Sequence, residues 1–462
     1  MSRRTNRRQF LMHTAAAAGG AGLLAASRGP VYGFPVNEKL NIAIVGVGGM
    51  GGSHVRDGEV KKENVVALCD IDDRNLHSAA EVYPKAEKYN DFRVMFDKMG
   101  RDIDAVICAT PDHCHAVVTA AALRLGKHAY TQKPLTHTVY EAHVLNELAR
   151  KNPKLATQMG NQGHSNEGAR RVVEVIRSGA LGKIREVHAW TDRPIWPQGI
   201  DRPADKPPVP HHVHWDLWLG PMPERPYNPA YHPFAWRGWW DFGTGALGDM
   251  ACHVADTAFW ALDLRHPTSI EARSEGAKPE TAPKWSIVTY EFPARGDLPP
   301  VTFTWYDGKK FPPKELIEKY GISYRKRREG AKRGDEDAYE TVAGFEDNGS
   351  LLIGDKGAAI LDTYGAEYKL LPEKDFKDFK PPAPTLARSP GHMRDWIEAA
   401  KNGTQACSNF EYASALTGMV LLGNLALRTG KKIEWDAANM RATNASECEE
   451  LIKPPYRKGW SL

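Results

Sequence analysis

Apolar positions follow two rhythms along this chain. Leu40, Ile42, Ile44 and Val45 make a short run of the kind shown by a strand buried on both faces, and similar runs recur at residues 64–69, 104–109 and 128–131. Between them the spacing turns helical: Val117, Val118, Ala121, Ala122 and Leu125 share one face, and Gly126 closes that helix. Strands alternating with helices predict a parallel sheet covered on both faces, over residues 36–160. Beyond it, a helix at 169–178 and a strand at 184–190 lead to β-rich runs at 286–292, 301–306, 350–353 and 358–361. Amphipathic helices follow at 392–401 and 411–428, with Gly430 as a stop. The predicted class is α/β: a Rossmann domain, then an α/β domain at 161–440 on an open, mostly antiparallel sheet, then a tail at 441–462.

The first apolar run ends in Gly46-Val47-Gly48-Gly49-Met50-Gly51, a G-x-G-x-x-G at a strand-to-helix junction. Gly46 permits a tight turn, Gly48 lets the backbone approach a pyrophosphate, and Gly51 lets the next helix pack close, so that its N-terminal amides face phosphate. The second strand ends at Asp70, about 20 residues on, where a carboxylate binds a ribose diol. Asp70 favours NAD over NADP by repelling a 2'-phosphate; Ile71 flanks it, and Arg74 softens that preference. Loops at the carboxyl ends of later strands border the same site. They add Thr110, Pro111, Asp112, His115, Gln132, Lys133 and Asn161 as candidate cofactor contacts.

At 462 residues the chain is long enough for two or three units, and 42% hydrophobic and 26% charged residues describe a globular protein. A net charge of +4 does not indicate a nucleic-acid-binding surface. The six cysteines lack C-x-x-C pairs and read as reduced packing residues. Residues 1–35 read as an address: Arg7-Arg8-Gln9-Phe10-Leu11 and a weakly apolar stretch to Ala26 resemble a twin-arginine export signal, with a small-residue cleavage site around Ala25. That stretch is too short for a stable membrane span. Twin-arginine export carries folded proteins, which suits one that loads a dinucleotide before leaving the cytoplasm. The basic run at 309–333 reads as a solvated loop.

Seven of the thirteen tryptophans lie between Trp190 and Trp240, which marks residues 191–240 as either a lid whose rings pack on each other or a carbohydrate site. Trp196, Trp240 and His164 are the candidate sugar contacts, and Asp216 a hydrogen-bonding group. His211, His212 and His214 lack a matching ligand set, so no metal is expected. Gly243 to Gly248 read as a loosened entry to a helix over 249–262, placing Asp249 and His253 on one face at i and i+4. A carboxylate beside an imidazole fixes its tautomer and favours protonation, as a proton-abstracting group needs; a capping Asp and a structural His are the alternative.

The glycine motif, Thr110-Pro111 with His115, Gly126-Lys127-His128 and Lys133-Pro134 together resemble the Gfo/Idh/MocA family, with Gln132 where that family usually has Glu. The resemblance implies NAD(P)-dependent oxidation of sugars, inositols or related polyols. It also implies Lys133, Asp249 and His253 as the catalytic set, the latter two being the family's D-x-x-x-H pair. It further implies terminal helices packed near the nucleotide domain and a homo-oligomer paired through the second sheet. Export from the cytoplasm, where free NAD is abundant, to the periplasm suggests a cofactor retained and recycled in the site. Relatives that cleave glycosides by transient oxidation provide the alternative activity.

Overall fold

Residues along β1 (Asn41–Val45) alternate between two apolar faces. Ala43 and Val45 enter a cluster with Phe92, Met95 and Val118, whereas Ile42 and Ile44 enter another with Leu76, Trp396 and Ile397. A central parallel strand requires apolar residues on both sides in this way. The computed structural model describes residues 38–328 and 339–462; residues 1–35, expected as an export signal, and part of the basic run at 309–333 lie outside the described residues.

Helices α1 (Gly49–Arg56), α2 (Asp73–Val82), α3 (Phe92–Met99), α4 (Asp112–Arg124) and α5 (Val139–Lys151) alternate with β2 (Asn64–Cys69), β3 (Glu87–Tyr89), β4 (Ala105–Cys108), β5 (His128–Thr131) and β6 (Thr157–Met159). The strands pair in parallel in the order β3-β2-β1-β4-β5-β6. The order reverses between β1 and β4, so the carboxyl ends of these two strands border the crevice where such sheets bind ligands. Asp72 and Asp91 start α2 and α3 by accepting from the Arg74 and Arg93 amides.

After α6 (Glu167–Arg177) and β7 (Ile184–Trp190) the chain builds a long irregular segment around α7 (Trp215–Leu219), then α8 (Gly245–Val254) and α9 (Asp256–Ala261). Next come β8 (Ser269–Glu275), β9 (Trp285–Phe292) and β10 (Val301–Tyr306). A turn of helix, α10 (Glu315–Tyr320), precedes a separate ribbon of β11 (Ser323–Arg327) and β12 (Tyr339–Ala343). The main sheet resumes with β13 (Gly349–Gly354), β14 (Gly357–Leu361) and β15 (Tyr368–Leu371). After α11 (His392–Asn402) and α12 (Phe410–Thr429), β16 (Ile433–Asp436), β17 (Arg441–Ala442) and α13 (Glu449–Ile452) complete it. The sheet order is β15-β14-β13-β7-β10-β9-β8-β16-β17, with β7 and β10 its one parallel pair. In β9, buried Val288 and Tyr290 alternate with half-buried Ile287 and Thr289, the pattern of a sheet with one open face.

Helices cover the other face. α12 is long and apolar enough to cross a membrane, but it is buried here against α5, α8, β8 and β9 as a core helix. Gly430 ends it in a left-handed conformation. α11 closes one face of the parallel sheet, with fully buried Trp396 packed beside Tyr130 and its indole donating to the Ala156 carbonyl at 3.3 Å.

Two details differ from the sequence reading. The expected helix over 249–262 starts at Gly245, so Asp249 sits a turn inside it, and its course is interrupted at Ala255. Gly248 lies in the first turn, where a Cβ would lie 1.9 Å from the Thr244 hydroxyl, which is committed to Asp112. The interruption adjoins Asp256, whose buried carboxylate is taken by His164 and Tyr412. Residues 441–462, expected as a tail, contribute β17 and α13 and then return to the parallel sheet, where Trp460 packs on Phe92.

Candidate active site

A cleft of about 630 Å³ runs from the glycine loop after β1 to the start of α8. At its nucleotide end, Gly46 has φ +80°, and a Cβ there would lie 2.6 Å from the Ala109 carbonyl at the end of β4. A Cβ on Gly51 would lie 1.8 Å from the Gly46 carbonyl, so only glycine lets α1 seat against the strand ends. The N-cap Gly48 supplies no side-chain cap, and the first turn of α1 carries no acid. Free amides and the positive end of the helix dipole therefore open toward the cleft, a cradle that suits a pyrophosphate.

Asp70 stands beside this cradle. One carboxylate oxygen accepts from the Val47 and Gly48 amides at 2.8 and 3.1 Å, the other from the Asp72 amide at 2.8 Å. Burial pushes its carboxyl up, and these backbone bonds oppose the shift. Asp70 thus fixes the glycine loop as well as presenting a carboxylate. Gly49, Met50 and Ile71 line the same end, together with Asn75, which the sequence reading missed. A Cβ on Gly48 would collide with the Asn75 amide, so this glycine makes room for a side chain as well as for ligand. Gly51 lies behind this lining. Arg74 does not line the cleft: its guanidinium forks onto Asp72 at 2.8 and 3.1 Å, which removes it as the expected counterweight to Asp70.

At the other end Lys133, Asp249 and His253 come together, with Thr110, Pro111, Asp112 and Gln132 along the wall. Lys133 Nζ donates to the Asp249 carboxylate at 2.8 Å and to its main-chain carbonyl at 2.7 Å. Arg237 Nε donates to the same carboxylate oxygen at 3.2 Å. Burial raises the Asp249 carboxyl, but Lys133 and Arg237 outweigh it and hold the group down at about 2. The expected Asp249–His253 pair is not joined by a hydrogen bond: Oδ1 of the carboxylate takes both cations, and His253 Nδ1 is buried without a partner. Burial, with the Lys133 charge, pushes its imidazole down to about 3 against the pull of Asp249, so His253 is neutral rather than protonated as expected.

Asp112 accepts from the Thr244 hydroxyl at 2.7 Å. Burial pushes its carboxyl up to about 7, offset in part by Thr244, Lys133 and Arg237. Gln132 lies with its amide nitrogen 2.7 Å from His54 Nε2, on α1. Burial holds His54 down at about 4, so the neutral ring accepts from the amide.

Besides Gly51 and Arg74, four more candidate residues lie away from the cleft lining. His115 is buried between the Pro134 and Thr110 carbonyls, at 2.8 and 2.7 Å, and braces two wall loops from behind. Asn161 accepts from Ser408 at 2.7 Å behind β6. His164 is buried with Asp256 at 3.0 Å and stacks on Trp260. Trp240 borders a different cavity, of about 150 Å³, beneath Arg428. Trp196 does line the cleft, joined there by Phe234, Trp236 and Tyr364. The Arg237 guanidinium lies 4.3 Å from the Trp236 ring centre. Other rings of this segment pack on each other: Trp215 stacks at 4.6 Å on Trp218, which also lines the cleft, and Tyr231, Trp239 and the neighbouring Phe242 complete their cluster. His212 and His214 pair with Asp72 and Asp73, fastening this segment to the end of β2. Among the described residues no three His, Cys, Asp or Glu side chains form a metal-holding group.

The chain matches the family model of an oxidoreductase family with an NAD-binding Rossmann fold over residues 40–160, and the C-terminal α/β domain of that family over 169–297. It is 32% identical over 152 residues to inositol 2-dehydrogenase of Salmonella paratyphi B, covering 32% of this chain and 45% of that protein. It is 31% identical over 160 residues to glycosyl hydrolase family 109 protein 1 of Shewanella sp. ANA-3, covering 32% and 34%. The chain therefore spans less than half the length of these curated relatives. Its fold is similar to that of the WlbA dehydrogenase from Bordetella pertussis, solved with NADH and UDP-GlcNAcA: TM-score 0.57, 14% identity, 86% of this chain and 99% of that one. A strand-bound glycine cradle with Asp70, a parallel sheet followed by an open antiparallel one, and these matches across both sheets lead to one assignment: the chain belongs to the Gfo/Idh/MocA family of oxidoreductases, with an NAD-binding Rossmann fold at its N-terminal end.

Proposed function

We propose that this protein is an NAD-dependent oxidoreductase acting on the CH–OH group of a sugar, inositol or related polyol. One observation carries the reading: Lys133, Asp249 and His253 meet at one end of a cleft whose other end is the glycine cradle and Asp70. When bound, NAD supplies the acceptor for the hydride that leaves the substrate carbon. The side chains handle the proton and the charge. Lys133 has three N–H donors, of which two are held by Asp249; the third is free to donate to the substrate oxygen and stabilise it as it becomes an alkoxide. His253, neutral and lining the cleft, takes the hydroxyl proton. Asp249 keeps Lys133 aimed and stays charged. Trp196, Trp236 and Tyr364 offer ring faces to the C–H faces of a sugar. Asp70, with Arg74 held on Asp72, selects NAD over NADP.

The paired arginines of the leader support twin-arginine export to the periplasm, with a cofactor that stays bound and is recycled by a second substrate. The open sheet face supports pairing of two copies. A second reading, glycoside cleavage by oxidation, elimination, hydration and re-reduction, is favoured by the similarity to the family 109 glycosyl hydrolase. Incubation with polyols, sugars and aryl glycosides separates the two. NADH formed from a polyol supports the dehydrogenase. Aglycone released with no net NADH supports the cleavage reading, and neither product from any substrate contradicts both.

A further inference from the structure

The nucleotide end of the cleft has walls that the parallel sheet does not supply. Phe92, at the start of α3, lines it beside Ile71, and Trp460 lines it from nearly 370 residues later. The Trp460 ring lies 6.0 Å from that of Phe92, with the Arg93 guanidinium 4.2 Å from its centre. Arg93 also donates to the Gly459 carbonyl at 3.3 Å while holding Asp91. From the opposite side, α7 and the residues before it clamp onto the end of β2: the Asp73 amide donates to the His212 carbonyl and the His214 amide to the Ile71 carbonyl, both at 2.9 Å.

These two segments are tied to each other. The Arg457 amide donates to the Pro221 carbonyl at 2.9 Å. Its guanidinium donates to the Gly220 and Asp216 carbonyls at 3.2 and 2.8 Å and to the Asp216 carboxylate. The Arg457 side chain is only 11% exposed, although the Asp216 side chain is 75% exposed, so the contacts to the Gly220 and Asp216 carbonyls and to the main chain of Pro221, more than the ion pair, fix its place. Tyr456 adds a bond to the Glu141 carboxylate at 2.5 Å, anchoring the segment to α5.

We infer that Trp460 is the outer wall of the adenosine site, and that Arg457 is a positioning residue that locks this wall to α7 and so slows release of the dinucleotide. The chemistry at the nicotinamide end needs neither residue. Asp70 and Ile71 mark where adenosine lies, and Trp460 is the aromatic surface there that arrives from outside the sheet. A purine leaving this end must pass Trp460 or part the contacts of Arg457 with α7. The inference rests on dinucleotide binding in this cleft.

The test loads the full-length protein with NADH and follows fluorescence after mixing with a large excess of NAD. Trp460→Ala and Arg457→Ala raise the NADH dissociation rate at least fivefold; Trp460→Phe, which keeps a ring, stays below that threshold. Urea unfolding of each variant without nucleotide separates lost folding from lost retention. Dissociation less than fivefold faster in both alanine variants, when folded, overturns the clasp. A wild-type protein that takes up no NADH overturns the reading of the cleft itself, and is seen before any variant is measured.

Discussion

Lys133 Nζ lies 2.8 Å from the Asp249 carboxylate and 2.7 Å from the Asp249 main-chain carbonyl, so one residue of α8 takes two of its three donors. The ammonium is thereby held at the end of the β5 loop with one N–H left for a ligand. Lys133→Met removes that donor while keeping most of the side-chain volume. Its expected effect is a fall in kcat of roughly 100-fold or more, the usual cost of losing a charge-stabilising donor in a closed site. Steady-state assay on the best polyol checks this, and a loss confined to KM contradicts it.

The cleft contains a carboxyl whose charge changes near neutral pH. Asp112 titrates at about 7 in the fold and near 4 in an unfolded chain. Its folded value is raised, so the stabilisation is fully present below about pH 4 and is lost as pH rises through about 7. Asp112→Asn keeps an acceptor for Thr244 but cannot ionise. The variant is expected to raise Tm at pH 8 and change it little at pH 4, by scanning calorimetry at both values. An equal shift at both values refutes the assignment.

Asp70 ties the Val47 and Gly48 amides, and the proposed selection of NAD gives it a second task, repelling a 2'-phosphate. Asp70→Ala is expected to weaken NAD binding about tenfold and NADP binding less, narrowing the preference. Titration of both nucleotides by calorimetry measures this; an unchanged ratio removes Asp70 from cofactor selection.

Trp396 joins α11 to the parallel sheet and is fully buried. Trp396→Ala leaves a large cavity and is expected to cost about 3–5 kcal/mol of stability. Urea unfolding with and without NAD reads the loss, and bound nucleotide restores part of it by mass action.

Local chemistry makes part of this site legible from sequence. Gly46, Asp70 and Lys133 each sit just past the end of a short strand, and Gly51 in the first turn of the helix that follows one, so the strand's position fixes theirs. Asp249 and His253 do share the cleft, as their spacing requires, yet spacing does not reveal that Lys133 and Arg237 claim the carboxylate. Residues 191–240 have no period, so nothing tells which ring faces ligand: Trp196, Trp218 and Trp236 line the cleft, while Trp240 borders another cavity and Trp215 stacks on Trp218. Histidine 164 has the right chemistry in the wrong place, because the buried Asp256 takes it. Tyr364 and Trp460 reach the cleft only through long-range packing, which leaves no local signal.

Hydride transfer from a CH–OH carbon in this cleft, with Lys133 and His253 handling charge and proton, leaves an isotopic trace. The most direct test incubates the protein with NAD and polyols or sugars deuterated at the carbinol carbon, then measures deuterium in the nicotinamide of the released cofactor by mass spectrometry. Deuterium in the wild type, and its loss in Lys133→Met and His253→Ala, is the expected result. No deuterium with any substrate, or equal labelling in the wild type and both variants, would contradict the account.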